Sequence, residues 1–334
     1  YYGWAREAEH LDFCAPANHY GGRMDFANLP ERAQQREEAL HDLWAEDVAK
    51  ANEHYTPGEF VTLVGFECGA GRYGHRNVYY RGSNGIYTRG QDGLAPDELW
   101  RRLEREGYQA LTVPHHPKFC NPVDWSYRND RFQRLVEICS AWGLSEEGGP
   151  HSVRAALAMG HRLGFVGGTD THFGQPGRSP HPFGEGGGLT GVYVPELTRE
   201  ALWEGLHDRH CYATTGARIL LHVEVNGNCM GSEITAAADV VVSARVVGTV
   251  ADYAVEVVRN GAVAYRLPSS AFELEFTWAE PIRSPVGARR RTPSRSVTTT
   301  YGCGRQIGTG PGPARCGCMA RVAEVSYLSE RSGP

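Results

Sequence analysis

The sequence predicts an α/β fold followed by a small antiparallel β-sandwich. Two observations carry this reading. Over residues 1–217, short apolar runs alternate with segments of helical period, which means a largely parallel sheet, open or closed into a barrel. Near residue 218 the pattern changes to closely spaced β-rich segments, with Asn226-Gly227 and Asn260-Gly261 as hairpin signals. A third observation locates the chemistry: histidines and acids stand where the apolar runs end.

Taken in order, residues 1–9 have helical character and LDFCA (11–15) is a short buried strand ending near Asn18-His19. Pro30 opens a long helix in which Leu40, Trp44, Val48, Ala51 and Tyr55 recur at three- and four-residue spacing. Pro57-Gly58 breaks it. FVTLVGFE (60–67), VYY (78–80), ALTVP (110–114), LVEIC (135–139), LGFVGG (163–168) and GLTGVYV (188–194) read as strands. Helices are expected over 96–106, 150–159 and 199–208. Residues 218–282 form the sandwich, where FELEFTW (272–278) alternates strictly. From residue 283 to 334 periodicity is lost, and the segment reads either as a disordered basic tail or as an out-of-frame stretch. Cys303, Cys316 and Cys318 there fit no common zinc module.

Composition narrows the function. A net charge of -5, without a sustained Lys/Arg run in the first 280 residues, argues against a nucleic-acid partner. No apolar run approaches the roughly 20 residues of a membrane span. Nine cysteines is an odd number, and Cys14, Cys68, Cys139 and Cys211 lie in apolar contexts. They read as buried free thiols of a reducing, cytoplasmic compartment. Fourteen histidines exceed what core packing requires.

Those histidines fall in a pattern. His19 follows the first strand and Glu67 ends the second; His75 precedes VYY; His115-His116 follow ALTVP; Asp170 and His172 follow LGFVGG. A lone histidine at a strand end is ordinarily a loop or core residue. Four strand ends delivering His, Glu or Asp to one face are a different matter, since that face is where sites assemble in parallel α/β folds. An acid ending the apolar run FVTLVGF needs a partner. In Gly-Thr-Asp-Thr-His, alternate residues of an extended segment point the same way, so Asp170 and His172 can grip one ion. Imidazole with carboxylate and no thiol pair suits zinc, manganese or iron.

LDFCAPANH, GFE, GHRNVYY, VPHHP, VEICSAWG and GGTDTH resemble, in order, the motifs of the PHP (polymerase and histidinol phosphatase) superfamily. The likeness runs to about residue 280 and is nearest to a PHP-like branch of unknown function, which shares RHCYATTGARILL (209–221). The resemblance implies a distorted (β/α)7 barrel with two or three divalent metal ions and hydrolysis of small-molecule phosphate esters. By motif, His19, Glu67, His75, His116, Asp170 and His172 are the metal ligands. The family's opening His-x-His falls before residue 1, so the barrel is expected to lack its first strand. Ala17-Asn18-His19 stands where the family has Thr-Asp-His, and Asn18 lacks the charge of an aspartate.

The expected reaction is hydrolysis by a metal-bound hydroxide, with in-line displacement at phosphorus. His115, His172 or a metal-bound water is expected to protonate the leaving group, with Arg76 and Arg178 as candidate phosphate clamps. The Gly-rich stretch 184–188 is expected to form a loop over the site. No Gly-x-Ser-x-Gly or Walker A sequence is present. The alternative is a catalytically impaired metal- or ligand-binding module whose β-domain mediates protein or polysaccharide contacts. A third option is hydrolysis of a C–N or carboxylic ester bond.

Overall fold

The structure, a computed structural model, describes residues 1–19, 30–69, 71–88, 94–178, 187–235, 239–281, 296–306 and 317–327. Strand outweighs helix in it, 35% against 20%, which is too little helix for one crossover per strand. Among the described residues no sheet closes into a barrel. The expected (β/α)7 barrel is therefore replaced by several small sheets.

The first half begins with a helical turn, Trp4–Ala8, and β1 (Phe13–Cys14), which pairs in parallel with β2 (Val61–Thr62). Between them runs α1 (Pro30–Glu53), with Leu40, Trp44 and Ala51 buried at helical spacing. Next come β3 (Val64–Gly69), β4 (His75–Tyr80) and β5 (Ala110–Pro114), paired antiparallel throughout. The length of the connection explains this. Only five residues separate Gly69 from His75, whereas a parallel crossover needs a dozen or more. The strand β4 must therefore fold back on β3. The helix α2 (Pro96–Arg105), opened by a proline in its first turn, lies between β4 and β5 and buries Leu99, Trp100 and Leu103.

The strand β6 (Leu135–Ser140) then pairs with the short β7 (Gly143–Leu144) in a hairpin and in parallel with β8 (Gly164–Gly167). The crossover carries α3 (Val153–Ala158), capped by the Ser152 hydroxyl accepting from Ala155 N. Finally β9 (Leu189–Val192) and β10 (Cys211–Thr214) pair antiparallel around α4 (Arg199–His207). In this half, among the described residues, parallel pairing is limited to β1–β2, β6–β8 and a single bridge between Asn18 and Phe66. Cys14, Cys68, Cys139 and Cys211 are buried, and none of the four is in a disulfide.

The second half contains β11 (Leu220–Val225), β12 (Asn228–Cys229), β13 (Glu233–Thr235), β14 (Val240–Val247), β15 (Tyr253–Arg259), β16 (Ala262–Ser269), β17 (Glu273–Glu280), β18 (Ser296–Gln306) and β19 (Gly317–Tyr327). One sheet has the order β12-β11-β14-β17 and the other β13-β18-β19-β15-β16. Val240, Val242, Ala244 and Val246 alternate into a core shared with Val223, Val255 and Val257. Two expectations are corrected here. The second sheet is not purely antiparallel, because β15 and β19 run parallel. The region expected to be irregular supplies two strands. SVTTTYGCGRQ has β-branched and aromatic residues but no apolar alternation, so its strand character was hidden from a periodicity argument. Cys316 lies outside the described residues, as do residues 184–186 of the Gly-rich stretch.

One buried cation joins elements that frame the site. Arg199, at the start of α4, donates to Thr62 O (2.7 Å), to Asn52 Oδ1 (2.8 Å) and to Thr62 Oγ1 (3.1 Å), and its guanidinium lies 4.4 Å over the Tyr55 ring. It thus ties α4 to β2 and to the end of α1. Arg199→Ala leaves these acceptors without a donor and is expected to cost roughly 2–4 kcal/mol of stability. Urea unfolding measures this, and an unchanged midpoint would show that the tether contributes nothing.

Candidate metal centre

Glu67 is carried inward near the end of β3, where its side chain is 6% exposed. Its backbone N–H donates to Asn18 O, which holds the segment after β1 alongside it. In the β3–β4 hairpin, Gly69 faces His75 and Glu67 faces Asn77. His75 Nδ1 consequently reaches Glu67 Oε1 at 2.7 Å. Because β4 runs backwards, His75 enters from the start of its strand rather than from the end. The sheet edge that receives the end of β3 and the end of β5 also receives the start of β4, so antiparallel order produces the convergence expected of parallel strands.

The next strand adds two imidazoles. Adjacent residues of an extended strand point to opposite faces, yet the His115 and His116 rings lie 3.9 Å apart. The backbone explains this: His116 has φ +33°, a left-handed conformation that breaks the alternation and turns both rings toward the cluster. Non-glycine residues held there cost of order 1–3 kcal/mol, and such strain concentrates at functional sites. His115 Nε2 is 3.3 Å from Glu67 Oε1 and lacks a properly aligned hydrogen-bond partner. Its ring is otherwise enclosed.

Glu67, His75, His115 and His116 each present one ligand atom, and these atoms all lie within 4.8 Å of one another. Three imidazoles and one carboxylate are a fitting donor set for a zinc-, manganese- or iron-type ion. The charges are matched accordingly. Burial alone would raise the Glu67 pKa, but the His115 and His75 rings outweigh it and hold the carboxyl well below its ordinary value. Burial opposes charge on His115, yet Glu67, seconded by Glu137 and Asp170, raises it to about 9. Burial together with the neighbouring His115 and His75 pushes His116 down to about 4.

Glu137, on β6, was not singled out from the sequence. It is 5% exposed, accepts from His116 N at 3.1 Å and lies 3.9 Å from His115 Nδ1. Burial pushes its carboxyl up to about 7. The signal was present in LVEIC, an acid inside an apolar run, the same signal that marked Glu67. Asn121 Nδ2 lies 2.9 Å from His75 Nε2, and this residue too escaped the sequence reading.

The remaining candidates lie around this core or away from it. Asp170 accepts a hydrogen bond from Trp142 Nε1, and the Trp142 ring packs 5.6 Å from His116. Asp170 has φ +45°, so the segment is not extended and the expected alternation with His172 does not hold. The His172 side chain is 52% exposed, and its ring lies 5.8 Å from that of His19. His19, Asp170 and His172 are thus not part of the four-residue cluster. Arg76 occupies the opposite face of β4 from His75. It is fully buried and donates to Tyr73 O (2.8 Å), Gly74 O (3.2 Å) and Gln133 Oε1 (3.2 Å), so it braces the hairpin turn rather than clamping phosphate. Arg178 is exposed and pairs with Glu9 at 3.0 Å.

Fold and site together define a mixed α/β protein with a buried histidine–carboxylate cluster. The profile of a family described as "Protein of unknown function (DUF3604)" matches residues 12–135 and 180–249, more than half of the chain, and the chain belongs to that family. All four cluster residues lie in the first matched segment. An uncharacterized protein of Chlamydia pneumoniae is 26% identical over 288 residues, covering 75% of this chain and 44% of its own length. An uncharacterized protein of Chlamydia trachomatis serovar D is 33% identical over 184 residues, covering 45% of this chain and 28% of its own. The chain therefore spans less than half the length of these curated relatives. No solved structure matches it. Among the described residues, no helix is long and apolar enough to cross a membrane.

If the four side chains share an ion, Glu67→Gln removes its carboxylate and is expected to weaken zinc or manganese binding by more than about 100-fold. Glu137→Gln, which disturbs only the support of His115 and His116, should cost roughly 10–100-fold. His41→Ala, exposed on α1, should cost nothing. Competition against a chromophoric chelator ranks the three, and equal affinities for all would refute the site.

Proposed function

We propose that this chain is the metal-binding part of a metal-dependent hydrolase acting on phosphate esters. The observation that carries the reading is the convergence of Glu67, His75, His115 and His116 within 4.8 Å. The order of the PHP-like motifs supports the choice of phosphate esters over other substrates. A bound divalent cation supplies Lewis acidity at neutral pH.

The chain's own residues perform the rest. Glu67 adds a negative charge to three imidazole donors, which would strengthen the hold on a divalent cation. His75 and His115 flank it, with Asn121 beside His75 Nε2 to fix that ring. Glu137 faces the Nδ1 side of His115 and receives the His116 N–H, so both rings are braced from behind. With an ion bound, His115 would serve as a ligand held between Glu67 and Glu137 rather than as a proton donor. The Trp142 ring packs 5.6 Å from His116 and its Nε1 donates to Asp170. Neither Arg76 nor Arg178 takes part. Phosphate charge would then be met by the bound ion rather than by either of these arginines.

Zinc- or manganese-loaded protein is expected to hydrolyse 4-nitrophenyl phosphate. A strong chelator should abolish turnover, the metal should restore it, and Glu67→Gln should lower kcat by at least about 100-fold. Stoichiometric metal binding with no turnover on a panel of phosphomonoesters and diesters would assign the chain to binding rather than hydrolysis.

A further inference from the structure

Beneath the histidine cluster lies a cavity of about 410 Å³. Strand periodicity explains its position. The cluster residues Glu67, His75 and His115 occupy one face of β3, β4 and β5, and Glu137 extends that face on β6. Continuing along those same faces, Leu63, Tyr79, Val113 and Leu135 line the cavity. Two residues of strand advance about 6.6–6.8 Å. A polar layer and an apolar layer are thus stacked one above the other, with Asn77 and Glu137 lining the cavity where they meet.

The walls define what the cavity suits. Leu63, Val113, Leu135, Val166, Leu189 and Ile219 contribute apolar surface. Several polar groups of the wall are already engaged. Tyr212 Oη donates to Ile219 O at 2.9 Å, Thr190 Oγ1 donates to Gly167 O at 2.8 Å, and Arg218 is held by the carbonyls of Glu9 and His10. At the inner end stands a buried carboxyl, Glu137, and Asp12 also lines the wall. Two carboxyls against one guanidinium, that of Arg218, make the wall unfavourable to an anion, and a sugar would leave hydroxyls unpaired. The size falls within the range of small-molecule pockets, which are largely apolar with a few placed polar groups.

We propose that this cavity is a binding site for a neutral, mainly apolar small molecule of aromatic or branched hydrocarbon skeleton, with one hydroxyl directed at Glu137. The site is distinct from the metal cluster and meets it at Asn77 and Glu137. Occupancy therefore does not require hydrolysis.

The probe is 1-naphthol, titrated calorimetrically into the full chain, with 1-naphthalenesulfonate as an anion of the same ring system. The expected result is saturable one-site binding of 1-naphthol and at least about tenfold weaker binding of the sulfonate. Val166→Phe and, separately, Leu189→Phe place a ring in the cavity and should each weaken 1-naphthol by at least about tenfold while zinc uptake is unchanged. Zinc uptake reports whether each variant has kept its fold, and the comparison of the two probes on the unmodified chain needs no variant. Non-saturable binding of 1-naphthol, equal affinity for the sulfonate, or undiminished affinity in both filled variants would overturn the proposal.

Discussion

A carboxylate carried into the interior on an apolar strand must be matched by positive charge, by hydrogen bonds or by a metal. Glu67 sets that constraint, and the surrounding elements are arranged to meet it. The β3–β4 turn returns the chain after five residues, which places His75 2.7 Å from the carboxylate. The strand β5 runs beside β4 and delivers His115 on the same face. A left-handed residue at His116 then adds a ring that an extended strand would have turned away. Removing one imidazole from such an enclosed set would leave charge uncompensated, so the cluster is either held together by its mutual attraction or neutralised by an ion.

How the rest of the chain braces this cluster follows from the strands. Glu67, His75 and Glu137 are on regular strands, and His115 directly follows one, so their backbones are fixed by ladder hydrogen bonds rather than by loops. Sites built on such elements hold their geometry more closely than sites on loops. Arg76 and Arg199 hold the adjoining turn and helix from the opposite faces, each fully or almost fully buried. Both show that a buried guanidinium in this fold is a structural tie.

Much of the first half was legible in the sequence as a list of strands, and most runs named there are strands in the structure. Their pairing was not legible. A run such as VTLVGFE is buried on both sides whether its neighbours are parallel or antiparallel, so periodicity does not separate the two. The short link between Gly69 and His75 was the clue that favoured a hairpin. Glu67, His75 and His116 were singled out because acids and imidazoles at the ends of apolar runs are costly unless used, and the structure brings these three together with His115. Glu137 carried the same signal within LVEIC and went unread, since it stands in mid-strand. Asp170 and His172 were linked by an alternation that the left-handed φ of Asp170 removes. In the second half, β18 and β19 lacked apolar alternation, and their strand character rests on backbone pairing instead.

The central claim is that three imidazoles and one carboxylate, not the cysteines, form the metal centre. X-ray absorption at the zinc edge of the metal-loaded chain tests it most directly. The account predicts nitrogen and oxygen neighbours at about 2.0–2.1 Å, with the outer-shell scattering of at least two imidazole rings. Sulfur neighbours at about 2.3 Å, or a spectrum without imidazole scattering, would contradict it.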